Sequence, residues 1–404
     1  MKGFFSSKSL KKSSSAQIDR RFSCVTCGLY KNVLSPRMEP HGKGKKGILV
    51  IGEAPGEWED RRGKQWQGKV GRVLRRTLRE FDIELFEDCV CVNAINCRPP
   101  SNKTPSAFQI QCCRPKVWKV IEEFRPKLIL LLGNAALESF LAGRWKKKLG
   151  GITRWRGWCI PDREVEAWVC PTYHPSYIER KGKGESVEEL IWKQDLESAL
   201  SLLSEPLPYR GNDEKYIECT IDVERIRRFL KELRECKVFV AFDYETTGLK
   251  PHSKGHRVVC VSICTADNFC ISFPITSSVR GIFKRFLRSE VPKVAQNIKF
   301  EDTWSRFYFR EEVRNWVWDT MLASHVLDNR PGITGLKFQV YVRFGVLGYD
   351  DKVAPYLSSN SKDANAFNRI DKVPLNDLLL YCGLDSLYER RLAKLQMEEI
   401  RSGS

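Results

Sequence analysis

Nowhere in its 404 residues does the chain carry an apolar run of the roughly 18–20 residues that a membrane span requires. Its opening stretch, MKGFFSSKSLKKSSSAQ, lacks the apolar segment of a secretory signal. Neither an integral membrane protein nor an exported one is expected, and the reading is cytoplasmic. Acidic residues are in short supply, with 50 Asp and Glu against 68 Lys and Arg, a formal charge of +18. The deficit is concentrated at the front. Up to Arg210 there are 38 basic and 24 acidic residues, the remainder holds 30 and 26, and before residue 48 the ratio is 11 to 2. A basic excess of this kind suggests a polyanionic partner, of which nucleic acid is the commonest. The alternative is a ribosome-like or simply soluble basic surface.

Cysteine is not scarce. There are 15, an odd number in a long chain with no export signal, so a disulfide scaffold is excluded and a reducing compartment expected. Most of these thiols, such as Cys260, Cys264 and Cys270 in a strand-like stretch, read as small buried hydrophobes, which leaves a minority as metal ligands. With 42% hydrophobic and 29% charged residues, the composition suits two ordinary globular domains.

Residues 1–20 are rich in Ser and Lys and read as a basic mobile arm. Over 21–204, GILVIGE, VLRRTLREFDI, CVCVNAIN, FQIQCCRPKVWKVIEEF, KLILLLG and AWVCPTYHPS alternate strand-like and helix-like patterns. This order predicts a parallel sheet covered by helices, an αβα arrangement. Residues 205–215 read as a linker. The second domain, 216–404, opens with a helix (VERIRRFLKELREC), a strand (KVFVAFDYET) and a hairpin (RVVCVSICTA with NFCISFPI), and then reads as mostly helical.

In a parallel sheet, ligands bind beyond the carboxyl ends of the strands. Glu53, Asn93, Gly133 and His174 each fall at such an end. A carboxylate, an amide and an imidazole converging there could read the edge of a heterocycle and assist bond cleavage. Strand-end caps and loop residues give the same pattern. Cys24 and Cys27 form a C-x2-C pair, and Cys97 and Cys113 lie 16 apart. Four thiolates could hold zinc or an iron–sulfur cluster, spacing alone does not choose, and Cys112 leaves the fourth ligand open by one residue.

The segments GEAPGEWEDRRGKQWQGKVGRVL, VNAINCRPPSNKTP and TYHPSY resemble the iron–sulfur (family 4) uracil-DNA glycosylases over roughly residues 20–203. The resemblance implies a 4Fe–4S cluster on Cys24, Cys27, Cys97 and Cys113. It implies that Glu53 serves the hydrolytic water, Asn93 reads the uracil edge and His174 stabilises the departing base. Trp66 stands where the family stacks an aromatic ring on a flipped base, and Tyr177 and Ile178 where it wedges the strand. The chain departs from the family at Gln65-Trp66-Gln67-Gly68, where a PFVG-like stretch is usual: Trp66 enlarges the stacking plate and Gln67 places an amide beside the pocket. Either a retained glycosylase or a DNA-holding domain that has lost its chemistry is compatible with this change.

In the second domain, Asp243 and Glu245 share one face of a strand, and Tyr381 and Asp385 share one face of a helix. Such a set could assemble a two-magnesium site for phosphodiester hydrolysis, although D-x-E and Y-x3-D are each common. The ordered segments FDYETTGLKP, AQNIKFEDTW, WDTMLASHVLD and YCGLDSLYE resemble the DEDDy 3′–5′ proofreading exonucleases of family A DNA polymerases, an RNase H-like fold. The resemblance implies Asp243, Glu245 and Asp385 as ligands of Mg2+ (or Mn2+) and Tyr381 as the group that orients the attacking water. Where the family has Asp in its second motif this chain has Glu301, with Asp302 one later, and either could complete the set. Asp319, Asn297 and Lys299 read as structural or DNA-contact residues.

The two resemblances together match the front part of certain bacteriophage family A polymerases. They imply DNA as the partner and either a polymerase domain in the same chain or a separate polymerase subunit, in the cytoplasm of a bacterial host.

Overall fold

The computed structural model describes residues 22–181, 186–208, 211–359, 363 and 365–403. The stretch read as a basic arm, 1–20, lies outside the described residues, as do positions 209 and 210 of the expected linker. The chain divides into two compact units, Met1–Cys159 with Val165–Leu207, and Ile160–Glu164 with Pro208–Ser404.

In the front unit, strands β1 (Ile48–Gly52), β2 (Cys89–Asn93) and β3 (Leu128–Leu132) are followed by β4 (Ile160–Asp162), which groups with the second unit, and by β5 (Ala167–Thr172). Strands β2, β1, β3 and β5 lie side by side and all run parallel, with Gly52 level with Asn93 and Leu132 level with Thr172. Every residue of β1 and β3 is buried. Such unbroken apolar runs are what a parallel sheet needs when helices cover both of its faces. On one face Leu74 and Leu78 of the helix Lys69–Arg79, with Trp192 and Leu196 of Val187–Ser201, pack on Ile48 and Val50. Elsewhere Ile110 of Ala107–Phe124 and Ala135 of Gly133–Leu141 pack with Ala94 and Ile95.

The second unit is built on β6 (Ile217–Cys219), β7 (Val240–Thr246), β8 (Val258–Ala266), β9 (Phe269–Pro274), β10 (Lys293–Ala295) and β11 (Trp316–Asp319). Their spatial order is β11-β10-β7-β8-β9-β6. The expected hairpin is β8–β9, antiparallel with Cys264 level with Cys270. The region expected to be mostly helical also contains β10 and β11, which run parallel beside β7. The 28-residue helix Leu375–Ser402 lays Leu384, Leu387, Tyr388 and Leu392 against Ala241, Cys264 and Val294 of the sheet. Among the described residues no helix is long and apolar enough to cross a membrane.

Candidate active sites

Because its strands are parallel, the front sheet delivers the residues that end them to one edge. Glu53 follows β1, Asn93 closes β2, Gly133 follows β3 and His174 lies just past β5. Two glycines allow the crowding found there. A Cβ on Gly52 would stand 2.4 Å from Asn93 Oδ1 and 2.7 Å from the Trp66 ring. At Gly133, where φ is +86°, it would stand 2.9 Å from the Cβ of His174.

Trp66 is buried and sits in the left-handed region at φ +57°, a conformation that a bulky residue keeps only when its surroundings hold it there. Its carbonyl accepts from the Arg75 guanidinium. Its ring stacks on the His174 imidazole with centroids 5.6 Å apart. The Ser176 amide donates to His174 Nδ1 at 3.2 Å. An amide N–H can only donate, so Nδ1 is an acceptor and the neutral ring carries its proton on Nε2. Burial, aided by the Arg180 charge, lowers the His174 pKa to about 4. Burial raises the Glu53 carboxyl above its ordinary range, against the pull of Arg180.

Asn93 Nδ2 donates to Gln65 Oε1, and Gln65 is fully buried with its Nε2 lacking a hydrogen-bond partner among the described residues. The amide beside the pocket is therefore that of Gln65 and not, as expected, that of Gln67. Gln67 Nε2 instead donates to the Gln65 carbonyl at 2.7 Å. Ile178 also departs from expectation. In the helix Pro175–Lys181 it faces the core beside Trp192 and Leu196 at 3% exposure, which leaves it no face toward a DNA strand. Its neighbour Tyr177 is half-buried, against Tyr173 at 4.9 Å.

Cys24 and Cys27 close the two ends of a one-turn helix, whose Ser23 Oγ accepts from the Thr26 amide. Cys97 is buried, and its Sγ accepts from the Arg37 amide at 3.2 Å. Burial, then the nearby thiols of Cys27, Cys97 and Cys24, push Cys113 up to about 12. Cys112 is also raised by burial, but of these thiols only Cys27 and Cys24 act on it. Cys113 is thus the residue near all three of the others.

In the second unit, extended β7 points Asp243 and Glu245 to one side. Cys382, from the long helix, joins them: one ligand atom of each lies within 4.8 Å of the others, and no other trio of metal-capable side chains among the described residues is so close. Tyr381, Asp385 and Glu389 follow one another at helical spacing on that same helix and are all buried. Asp385 Oδ1 accepts from Lys337 Nζ and, at 2.6 Å, from the Tyr349 hydroxyl. Glu301, in the helix Lys299–Trp304, is 2% exposed with Oε2 lacking a hydrogen-bond partner among the described residues. Asp302 turns outward and pairs with Arg306 at 2.6 Å.

Burial is the leading cause that lifts the carboxyls of Asp243, Glu245, Glu301 and Glu389 well above their ordinary range. The next largest is the charge of Asp385 for Asp243, and that of Asp243 for the other three. Tyr381 is raised by burial and then by Asp385, so its phenol keeps its proton. Asp319 is a cap: it accepts from the amides of Met321 and Leu322 and from those of Asn297 and Ile298.

Glu389, Lys337, Tyr349, Cys382 and Gln65 escaped the sequence reading. Glu389 alone carried a signal, four residues beyond Asp385 on the same helical face. Cys382 sits beside Tyr381 and Gln65 beside Trp66, whereas Lys337 and Tyr349 arrive from distant segments.

Residues 39–195 match the uracil DNA glycosylase superfamily and residues 218–400 match the 3′–5′ exonuclease family. The chain is similar to the type-4 uracil-DNA glycosylase of Thermotoga maritima, 34% identical over 185 residues, which are 46% of this chain and 92% of that protein. The chain belongs to the type-4 uracil-DNA glycosylase family. Its glycosylase-like unit is fused to a 3′–5′ exonuclease domain, as the sequence resemblance implied. A DNA polymerase of Bacillus phage SP01 is 24% identical over 392 residues, or 88% of this chain, and the chain spans 40% of that polymerase. Among solved structures, Escherichia coli RNase D is similar over 46% of this chain and 45% of its own, at 14% identity and a TM-score of 0.36.

Proposed function

We propose that the second unit hydrolyses nucleotides from the 3′ ends of DNA at the centre formed by Asp243, Glu245, Glu301 and Asp385. The observation that carries this reading is the burial of Glu245, Glu301 and Asp385 beside half-buried Asp243, with an orphaned carboxylate oxygen on Glu301, an arrangement that calls for cations. Oxygen donors suit Mg2+ or Mn2+. Two such ions, when bound, supply Lewis-acid stabilisation of charge on the scissile phosphate. Asp243, Glu245 and Asp385 would hold them, with Glu301 completing the set. Tyr381, protonated and beside Asp385, orients the attacking water through its hydroxyl. The buried walls keep other water away.

In the front unit the same reading gives Glu53 the role of base toward the hydrolytic water, and its raised pKa suits that work. Asn93 reads the edge of a flipped uracil or related base on the Trp66 plate, with Tyr177 at the strand. Neutral His174 donates from Nε2 to the departing base. Cys24, Cys27, Cys97 and Cys113 would hold a 4Fe–4S cluster. An all-thiol donor set fits it, as does the N–H···S bond from Arg37.

A second reading, a silent front unit that clamps DNA or senses template bases, is favoured by the pocket itself. Trp66 already stacks on His174, and Asn93 already bonds Gln65. The likeness to a phage polymerase supports work beside a polymerase domain or subunit, in a bacterial cytoplasm.

One gel separates the activities: a 5′-labelled strand carrying a single uracil, incubated with EDTA or with Mg2+. The exonuclease yields a ladder of shortened products with Mg2+ alone, and its absence sinks the leading reading. An alkali-labile break at the uracil in EDTA, lost in Glu53→Ala, establishes the glycosylase. No break from a chain that still binds the strand leaves the front unit as a clamp.

A further inference from the structure

Lys337 is the second residue of the helix Leu336–Phe344, and its side chain is only 15% exposed. It comes from far along the chain to meet both helical residues of the exonuclease centre. Its ammonium donates to Asp385 Oδ1 and, at 2.8 Å, to the Tyr349 hydroxyl. It also lies 4.0 Å from the centroid of the Tyr349 ring and 4.4 Å from that of Tyr381. Five buried or half-buried carboxylates converge here, Asp243, Glu245, Glu301, Asp385 and Glu389. Lys337 pairs with Asp385, and it is the positive charge felt by Asp243, Glu245 and Glu389.

Five carboxylates and one ammonium leave a formal charge of −4, which two divalent cations would cancel. A cluster of this kind cannot stay buried and fully ionised without either protons or positive charge. In the ion-free protein Lys337 supplies part of that charge. An arriving metal ion meets the same ammonium as a repulsive neighbour on a ligand it needs.

We propose that Lys337 is the resident counter-cation of the exonuclease centre, holding Asp385 in an ion pair that a divalent ion must displace. The proposal rests on the metal-centre reading above. The two phenol rings give the displaced ammonium a nearby resting place, since a cation is attracted to an aromatic face. Lys337 therefore positions Asp385 and Tyr381 before the ion arrives and sets how tightly it is then held.

The test is Mn2+ binding to the full chain, measured by calorimetry and by the electron paramagnetic resonance signal of free Mn2+. Lys337→Met removes the charge while keeping most of the length, and should bind Mn2+ roughly tenfold tighter or more. Lys337→Arg keeps the charge and should bind as the unsubstituted chain does. In EDTA the Lys337→Met chain should unfold at a lower temperature, and Mn2+ should raise that temperature by more than it does in the unsubstituted chain. Unchanged or weaker Mn2+ binding by folded Lys337→Met overturns the proposal. If that variant fails to fold, Lys337→Gln, which keeps a hydrogen-bond donor without the charge, should tighten Mn2+ binding about threefold or more; no gain there overturns the proposal equally. Binding that is present in the unsubstituted chain and lost in Asp243→Asn, with no gain in Lys337→Met, removes this proposal and leaves the metal centre standing. No Mn2+ binding at all removes both.

Discussion

Glu301 and Asp302 are adjacent and chemically alike, yet one carboxylate is buried with an orphaned oxygen and the other pairs with an arginine at the surface. A helix turns successive side chains about 100° apart, so one step decides which of them meets Asp243. Sequence spacing left the choice open because either residue has the required group. Glu301→Gln should lower the Mg2+-dependent exonuclease rate by at least about 100-fold. Asp302→Asn loses a surface pair with an arginine whose side chain is 54% exposed, and should change stability by less than about 1 kcal/mol. Rates of ladder formation and thermal melts of the two variants check this, and equal losses of activity would refute the assignment. The same one-step lesson applies to Ile178 and Tyr177: their identities were plain in the sequence, and only the facing of their helix put Ile178 in the core.

At the scale of the element, long apolar runs declared themselves. GILVIG, CVCVN, KLILLL and AWVCPT became β1, β2, β3 and β5, because a strand buried on both faces has no polar alternation to confuse the reading. Strands β6, β10 and β11 passed unread, since three or four residues are too few to display a period. The end of β1 shows how tightly these elements meet. A methyl group at Gly52 would strike both Asn93 and Trp66, and neither has room to retreat in a buried pocket. Gly52→Ala should cost about 1–3 kcal/mol and lower the melting temperature of the front unit. A change below about 0.5 kcal/mol by denaturant titration would show that the pocket is looser than its contacts suggest.

Across the whole molecule, His174 of the front unit and the clustered carboxyls of the second respond to pH in opposite senses. The folded-state pKa of His174 is about 4 against an ordinary 6.5, so its stabilising contribution is complete above pH 6.5 and is lost as pH falls toward 4. In the exonuclease unit the carboxyls of Asp243, Glu245, Glu301 and Glu389 are raised. Their contribution is complete below the ordinary carboxylate range and is lost as pH rises through the elevated folded values. In EDTA, warming the chain at a series of pH values should show the exonuclease unit melting earlier as pH rises. Mg2+ should reverse most of that trend, and His174→Asn should flatten the acid limb of the front unit. An exonuclease transition in EDTA that climbs with pH across the neutral range would contradict the charge balance described.

The sequence by itself determined that two α/β domains share the chain, and which residue types could carry their chemistry. Candidate motifs depend on the identity and spacing of neighbours, and those survive in one dimension: Asp243 with Glu245, Tyr381 with Asp385, Cys24 with Cys27. Only the tertiary structure decided which side chains enter each site. Gln65 displaced Gln67, Glu301 was taken over Asp302, and Lys337 and Tyr349 came from about 40 residues away to grip Asp385. Burial and charge balance are properties of packed space, and the distances that settle them exist only once the strands and helices have met.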